Sequence, residues 1–257
     1  MRTFAELLAE GEAVPVEGWD FSWFDGRATE ERPPWGYVRL LAGRLAGAGS
    51  VLDVQTGGGE VVREALERAR AHPAVLAATE SWPPNAALAR AALAPWRAEV
   101  AQVPDDGPLP FPDGTFDLVS SRHPVLVGWP EIARVLAPGG TYLAQHVGVG
   151  TARELTDFMM GPQPVSDVRS PARAVAAAEA AGLRVVDLRE ATLRMEFSDV
   201  AAVVVYLRKV IWIVPGFTVS RYRRRLEALH ERIVDSGPFV AHTTRYLIEC
   251  SRDRGPR

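Results

Sequence analysis

A glycine-rich turn, followed at a fixed interval by an acidic residue, is the part of the sequence best suited to bind a ligand. Residues 50–55 form a strand-like run that leads into Gly57, Gly58 and Gly59. Without Cβ atoms, the backbone there can turn sharply and approach a ligand closely. Glu80 lies 21 residues after Gly59, at the end of the next apolar run. An acid at that place can accept hydrogen bonds from the two hydroxyls of a ribose.

Two further acids extend this pattern. Asp105 and Asp106 follow a third apolar run at residues 98–103. Because ligands of open parallel sheets bind beyond the carboxyl ends of the strands, three successive strand ends would carry ligand-type residues at one sheet edge. Structural roles are the alternative, in which Asp53 fixes the turn and Glu80 caps a helix. The combined pattern favours a binding site.

Two histidines are predicted at the same edge of the sheet. His123 follows the strand-like run 116–121, and His146 ends the run 141–147. An imidazole of near-neutral pKa could remove a proton from an attacking oxygen or nitrogen. Alternatively, each ring bonds a backbone carbonyl and shapes the pocket. His123 is the stronger candidate for a catalytic role.

The elements that would position these residues alternate between short apolar runs and helical patterns, which is typical of βαβ units. We therefore predict an α/β fold, a doubly wound, Rossmann-like, mostly parallel seven-stranded sheet with helical N-terminal and C-terminal cap insertions. The predicted strands are residues 50–55, 74–79, 98–103, 116–121, 141–147, 183–188 and 239–249. The predicted helices are residues 37–45, 60–71, 83–93, 130–136, 171–181, 199–212 and 219–234.

The terminal parts of the chain are interpreted as caps on this one sheet, since no repeat or low-complexity linker separates them. We predict a single domain over residues 1–257. Residues 1–49 would supply an aromatic lid and the first helix, and residues 50–147 the ligand-binding core. Residues 148–257 would supply substrate-side helices and the last two strands.

Composition limits the classes of partner. A net charge of −3 provides no general attraction for nucleic acid, and no apolar run approaches the roughly 20 residues of a membrane span. The arginine cluster at residues 221–225 could contact phosphates, but a solvated helix face is favoured. Cys250 is the only cysteine, and the His, Asp and Glu spacing supports no metal site. We expect a cytoplasmic monomer or homodimer that binds a small molecule.

Four segments together give the chain its resemblance to a known family. They are the run 51–60, Glu80, the sequence LPFPDGTFD at 109–117 and the sequence EIARVLAPGG at 131–140. Over about residues 36–147, the chain resembles the class I S-adenosylmethionine-dependent methyltransferases. The resemblance implies that S-adenosylmethionine is the cofactor and S-adenosylhomocysteine the product.

The resemblance also implies roles for individual residues. Asp53, Gly57 and Gly59 would surround the methionine part of the cofactor, with Thr56 in the same turn, and Glu80 would bind the ribose. Near the adenine, Asp105 or Asp106 would approach the amino group and Trp82 would offer a stacking face. His123 would border the cofactor. Gln55 stands where the family usually has its first glycine, so it could reshape the methionine pocket or contact the cofactor itself.

The implied reaction is methyl transfer by in-line displacement to a small, partly hydrophobic acceptor, on oxygen, nitrogen or carbon. The acceptor pocket would lie between the aromatic stretch 18–24, the strand ends carrying His123 and His146, and the segments 158–160 and 200–217. The aromatic stretch could equally seal an exposed sheet edge.

Three other functions stay open at this point. A tRNA or rRNA methyltransferase would use the same cofactor core, and a non-catalytic protein could bind S-adenosylmethionine without transferring its methyl group. A nicotinamide-dependent oxidoreductase would need a third glycine where Val62 stands.

Overall fold

The computed structural model describes residues 2–16 and 21–254 of the chain. Within these residues it contains eight strands and nine α-helices, with short 3-10 helices at Ser22–Phe24 and Ala94–Trp96. The strands are β1 (Ala28–Glu30), β2 (Ser50–Asp53), β3 (Val75–Glu80), β4 (Glu99–Gln102), β5 (Phe116–Arg122), β6 (Leu136–Val147), β7 (Leu183–Phe197) and β8 (Phe239–Arg252). The helices are α1 (Phe4–Ala13), α2 (Tyr37–Leu45), α3 (Glu60–Arg68), α4 (Pro83–Leu93), α5 (Trp129–Val135), α6 (Arg153–Met160), α7 (Pro171–Ala180), α8 (Val200–Lys209) and α9 (Val219–Ser236).

The strands form one sheet in the order β1-β7-β8-β6-β5-β2-β3-β4. β2 pairs in parallel with β3 and β5, and parallel pairing continues outward to β4 and β6. β6 pairs antiparallel with β8, and β1 antiparallel with β7. This confirms the predicted α/β, doubly wound, mostly parallel architecture.

The sheet has eight strands where the sequence predicts seven. The additional strand is β1, whose three residues pair with residues 195–197 of β7. Its sequence, Ala-Thr-Glu, is too short to show alternating hydrophobicity, so its assignment depends on the partner strand. β7 is correspondingly longer than the predicted 183–188, and β6 begins at Leu136 rather than at residue 141.

The larger of two compact units comprises Pro33–Gly148, Asp167–Ala191 and Arg245–Arg257. Here alternate residues of each strand enter different hydrophobic clusters. Leu52 of β2 packs with Trp129 and Tyr142, whereas Val51 packs with Trp35 and Leu143. Both faces of the sheet are therefore covered, as a parallel sheet requires, and ligand access is left to the ends of the strands.

The smaller unit comprises Met1–Arg32, Val149–Ser166 and Thr192–Thr244. Its core helix is α8, in which residues 200–207 are all buried, as expected of a helix that is apolar on every side. A Cβ atom at Gly11 would lie 2.9 Å from the Cβ of Val204, so that glycine allows α1 to approach α8. Thr3 and Glu6 form a capping box at the start of α1, a helix that the sequence analysis did not assign.

The arginine cluster lies on α9 of this unit. Arg221 and residues 223–225 are exposed, while Leu226, Leu229 and Ile233 are buried. The cluster is therefore the solvated side of an amphipathic helix, as the sequence interpretation favoured.

The described residues test some of the remaining predictions only in part. Residues 18–20 of the aromatic stretch lie outside the described residues, and Phe24 is buried. The lid and the single-domain organisation stay predictions. Over the described ranges, no helix is long and apolar enough to cross a membrane, and no group of three His, Cys, Asp or Glu side chains could hold a metal ion.

Candidate active site

The turn between β2 and α3 has the tight geometry that its glycines predict. Gly57 and Gly59 have φ angles of 64° and 82°, in the left-handed region that favours glycine. A Cβ atom at Gly59 would lie 3.2 Å from Cγ of Leu93 and 3.4 Å from Cα of Ala89. The absence of side chains therefore lets this turn pack directly against α4.

Glu80 joins this turn to the end of β3. Its Oε2 accepts a hydrogen bond from the Gly57 backbone N–H at 2.8 Å, and its Oε1 accepts one from the Trp82 N–H at 3.0 Å. Burial raises the pKa of Glu80, and these two backbone donors oppose that shift. The Ser81 backbone N–H is a third donor that acts on this carboxylate, so its remaining acceptor capacity is what a ligand could use.

A cleft lies beside Glu80. It collects residues from the ends of β2, β3 and β4, as expected at the carboxyl edge of a parallel sheet. Its lining residues are Val54, Gln55, Thr79, Glu80, Ser81, Val103, Pro104, Asp105, Gly107 and Leu109.

The cleft distinguishes the two aspartates that follow β4. Asp105 lines it and is partly buried, and its charge contributes to the raised pKa of Glu80. Asp106 is exposed and is not among the lining residues that the structure describes. Trp82 immediately precedes α4 and is 44% exposed, and it too lies outside the described lining of the cleft.

Asp53 is buried at the end of β2, where burial raises its pKa to about 6. The Ser120 hydroxyl donates a hydrogen bond to Oδ1 of Asp53, and this bond and the Thr56 hydroxyl partly oppose the shift. Ser120 lies directly opposite Asp53 in the β2–β5 pair. Sequence analysis gave Ser120 no role, because that pairing is visible only in the sheet register.

Gln55 uses its side chain to hold a neighbouring loop. Oε1 accepts a hydrogen bond from the Val125 N–H at 2.6 Å, and Nε2 donates one to the Leu126 carbonyl at 2.7 Å. The φ angle of Gln55 is 56°, a conformation usually left to glycine. The amide is thus engaged by the loop that follows β5, and Gln55 also lines the cleft.

His123 belongs to a hydrogen-bonded chain that fixes its tautomer. The indole N–H of Trp35 donates to Oε1 of Gln145 at 2.7 Å, and because an indole can only donate, the amide orientation is defined. Nε2 of Gln145 then donates to Nε2 of His123 at 3.0 Å. The His123 proton therefore resides on Nδ1, and burial holds the pKa of this ring well below its usual value.

His146 lies among aromatic rings. Its ring stacks on Tyr246 with centroids 4.7 Å apart, and Trp129 lies parallel to it at 6.4 Å. The Tyr142 hydroxyl is 3.4 Å from its Nε2. Burial lowers the pKa of His146 to about 3, so the ring is neutral at physiological pH. These contacts favour a packing role over proton transfer.

The two segments most typical of the resemblance contact each other. Glu131 accepts a hydrogen bond from the Leu109 N–H at 2.7 Å. Arg134 donates to the carbonyls of Leu109 and Phe111 and to the Asp113 carboxylate. Helix α5 therefore holds the loop that brings Leu109 into the cleft.

Sequence reasoning missed Gln145 and gave Trp35 no role. Gln145 is 2% exposed, and a buried glutamine in an apolar strand requires hydrogen-bond partners. The sequence signal that could have identified Gln145 was its position next to the candidate residue His146.

Comparisons with known proteins agree with this geometry. Residues 52–144 match the family model described as a methyltransferase domain, whereas no curated protein matches the chain. The YcgJ protein from Bacillus subtilis is 17% identical, with 85% of this chain and 99% of that chain covered and a TM-score of 0.60.

Two other solved structures share the fold. An S-adenosylmethionine-dependent methyltransferase from Mesorhizobium loti is 15% identical, covering 85% of this chain and 97% of that one, at a TM-score of 0.51. The [4+2]-cyclase SpnF is 18% identical, with 97% of this chain and 92% of that chain covered and a TM-score of 0.52. At these identities the likeness is one of fold. The family-model match places a methyltransferase domain at residues 52–144, and the solved structures show that the chain shares their α/β fold.

Proposed function

We propose that the cleft beside Glu80 binds S-adenosylmethionine and that the protein transfers the methyl group to a small, partly hydrophobic acceptor. The observation that carries this proposal is the hydrogen bond from Gly57 to Glu80. It places a buried carboxylate directly beside a glycine turn, so that a ribose and an amino-acid chain can be held together.

The residues present suit such a cofactor. The carboxylate of Glu80 can accept a hydrogen bond from a hydroxyl of the ribose diol. Asp105 offers a carboxylate to an adenine amino group, and Leu109 and Val103 offer apolar contacts to the ring. The buried, side-chain-free turn at Gly57 and Gly59 leaves backbone groups available to the methionine end.

When bound, the cofactor supplies a methyl group already activated by a sulfonium. The protein then needs chiefly to orient the acceptor and exclude water, which in favourable systems contributes up to about 7–11 kcal/mol. His123 has its basic nitrogen occupied by Gln145, so we assign it to orienting the acceptor through Nδ1–H. His146, also predicted as catalytic, would support this edge of the sheet by packing.

Calorimetric titration with S-adenosylhomocysteine, S-adenosylmethionine and NADH tests the cofactor assignment. We expect both sulfur compounds to bind and NADH not to bind. Glu80→Gln replaces one acceptor oxygen by a donor and should weaken S-adenosylhomocysteine binding by about 1–3 kcal/mol. Glu227→Gln, at an exposed position of α9, serves as the matched control. Unchanged affinity in Glu80→Gln would remove Glu80 from the site.

A further inference from the structure

Basic side chains share one face of the sheet at the carboxyl ends of β5 and β6. Arg122 lies opposite Gln145 in the β5–β6 pair, and Arg245 lies opposite Val147 in the β6–β8 pair. Because side chains alternate along a strand, Gln145 and Val147 project to the same side. Arg122 and Arg245 therefore border the Gln145 side chain on that side.

The imidazole of His123 adds a hydrogen-bond donor at this place. Its Nε2 is held by Gln145, and its backbone N–H donates to the Gln145 carbonyl at 2.7 Å. These two contacts fix both the tautomer and the position of the ring. What the ring can present to a ligand is the Nδ1–H.

The electrostatics of the described residues agree with this clustering. Among the charged groups that most affect His123, Arg122, Arg245 and Arg169 all lower its pKa. Arg169 is partly buried, and its burial and the nearby charge of Arg245 both lower the pKa of Arg169. Guanidinium groups are planar donors whose geometry matches a carboxylate.

The strand order separates this cluster from the adenosine side of the site. Glu80 ends β3 and Asp105 follows β4, and both strands lie on one side of β2, whereas β5, β6 and β8 lie on the other side. A methyl acceptor must approach from the side of the methyl group opposite the sulfur.

We propose that Arg122, Arg245 and the Nδ1–H of His123 bind a carboxylate, and that this carboxylate belongs to the methyl acceptor. This inference rests on the proposed function, which it makes more specific: the acceptor is a small acid with an apolar body. The methionine end of the cofactor also carries a carboxylate, so the two sources must be separated by experiment.

The test uses the full-length protein and three pairs of probes, each an acid with its amide: para-hydroxybenzoate, benzoate and hexanoate. Binding is measured by calorimetry with and without S-adenosylhomocysteine. We expect at least one acid to bind about tenfold or more tightly than its amide, as a charge-assisted hydrogen bond requires. Arg245→Met should abolish this preference, Arg245→Lys should retain part of it, and the exposed Arg184→Met should leave it unchanged.

A second measurement determines whether the bound carboxylate belongs to the methyl acceptor or to the cofactor. S-adenosylhomocysteine has the amino-acid end of the cofactor, and methylthioadenosine lacks it. If Arg245→Met weakens S-adenosylhomocysteine but not methylthioadenosine, the cluster binds the cofactor, and the acceptor assignment is overturned. Equal binding of acid and amide in all three pairs also overturns it. If S-adenosylhomocysteine fails to bind the wild-type protein, the proposed function is refuted. The two failures can be distinguished, because the acid and amide probes are also titrated without S-adenosylhomocysteine.

Discussion

Oε1 of Gln55 accepts a hydrogen bond from the backbone N–H of Val125 at 2.6 Å, so one side chain joins the turn after β2 to the loop after β5. That loop begins at His123, which also has a left-handed φ of 57°. The residue that departs from the family's glycine pattern thus holds the loop carrying the predicted acceptor-orienting group.

Replacing Gln55 should separate backbone strain from loop attachment. Gln55→Ala loses both loop hydrogen bonds and keeps a Cβ at positive φ, whereas Gln55→Gly loses the bonds and relieves the strain. We expect the alanine variant to be less stable than the glycine variant by about 1–2 kcal/mol. Urea denaturation measures this difference, and hydrogen exchange at residues 123–128 should rise in both variants. Equal protection in wild type and variants would contradict the attachment.

Asp53 should make stability fall as pH rises. Its pKa in the folded protein, about 6, lies above the ordinary value of 3.8, so the folded state binds the proton more tightly. Its contribution is fully present below about pH 4 and is lost as pH rises through about 6, for a total of about 2–3 kcal/mol.

Asp53→Asn should remove this loss, because an amide does not titrate. The unfolding free energy of the variant relative to wild type should rise from about pH 4 to about pH 6 and then level off. Denaturation curves across this range, with the exposed Asp106→Asn as control, measure the effect. A difference independent of pH would show that burial does not shift the Asp53 carboxyl.

Arg134 should stabilise the loop 109–113. Arg134→Met removes its bonds to the Leu109 and Phe111 carbonyls and leaves Glu131 without its cationic partner. We expect a loss of about 2–3 kcal/mol of unfolding free energy, since several charge-assisted hydrogen bonds disappear. Chemical denaturation, compared with exposed Arg90→Met, provides the measurement. Weaker S-adenosylhomocysteine binding should accompany the loss, because Leu109 lines the cleft.

The two histidines should respond differently to replacement by phenylalanine. His146→Phe preserves stacking on Tyr246 and loses only the long contact with Tyr142, so turnover should change little. His123→Phe removes the oriented N–H and leaves the Gln145 amide without its acceptor, which should cost about 1–3 kcal/mol. Formation of S-adenosylhomocysteine with an acceptor identified by the acid probes reports turnover. Greater loss of turnover in His146→Phe than in His123→Phe would reverse these assignments.

The sequence by itself determined the features that depend on local backbone geometry and short-range periodicity. The glycines at 57–59, Glu80 at the end of the next strand and the alternation of strands with helices identified the fold and the binding edge. They did so because positive φ angles favour glycine and because the strand and helix periods can be read along the chain.

Tertiary structure alone decided which side chains meet. Asp105 rather than Asp106 lines the cleft, Ser120 meets Asp53, and Gln145 fixes His123 while its neighbour His146 packs among aromatic rings. Adjacent residues of a strand face opposite sides, so their surroundings depend on strand register and order. Those are set by packing between segments distant in sequence, which no local pattern encodes.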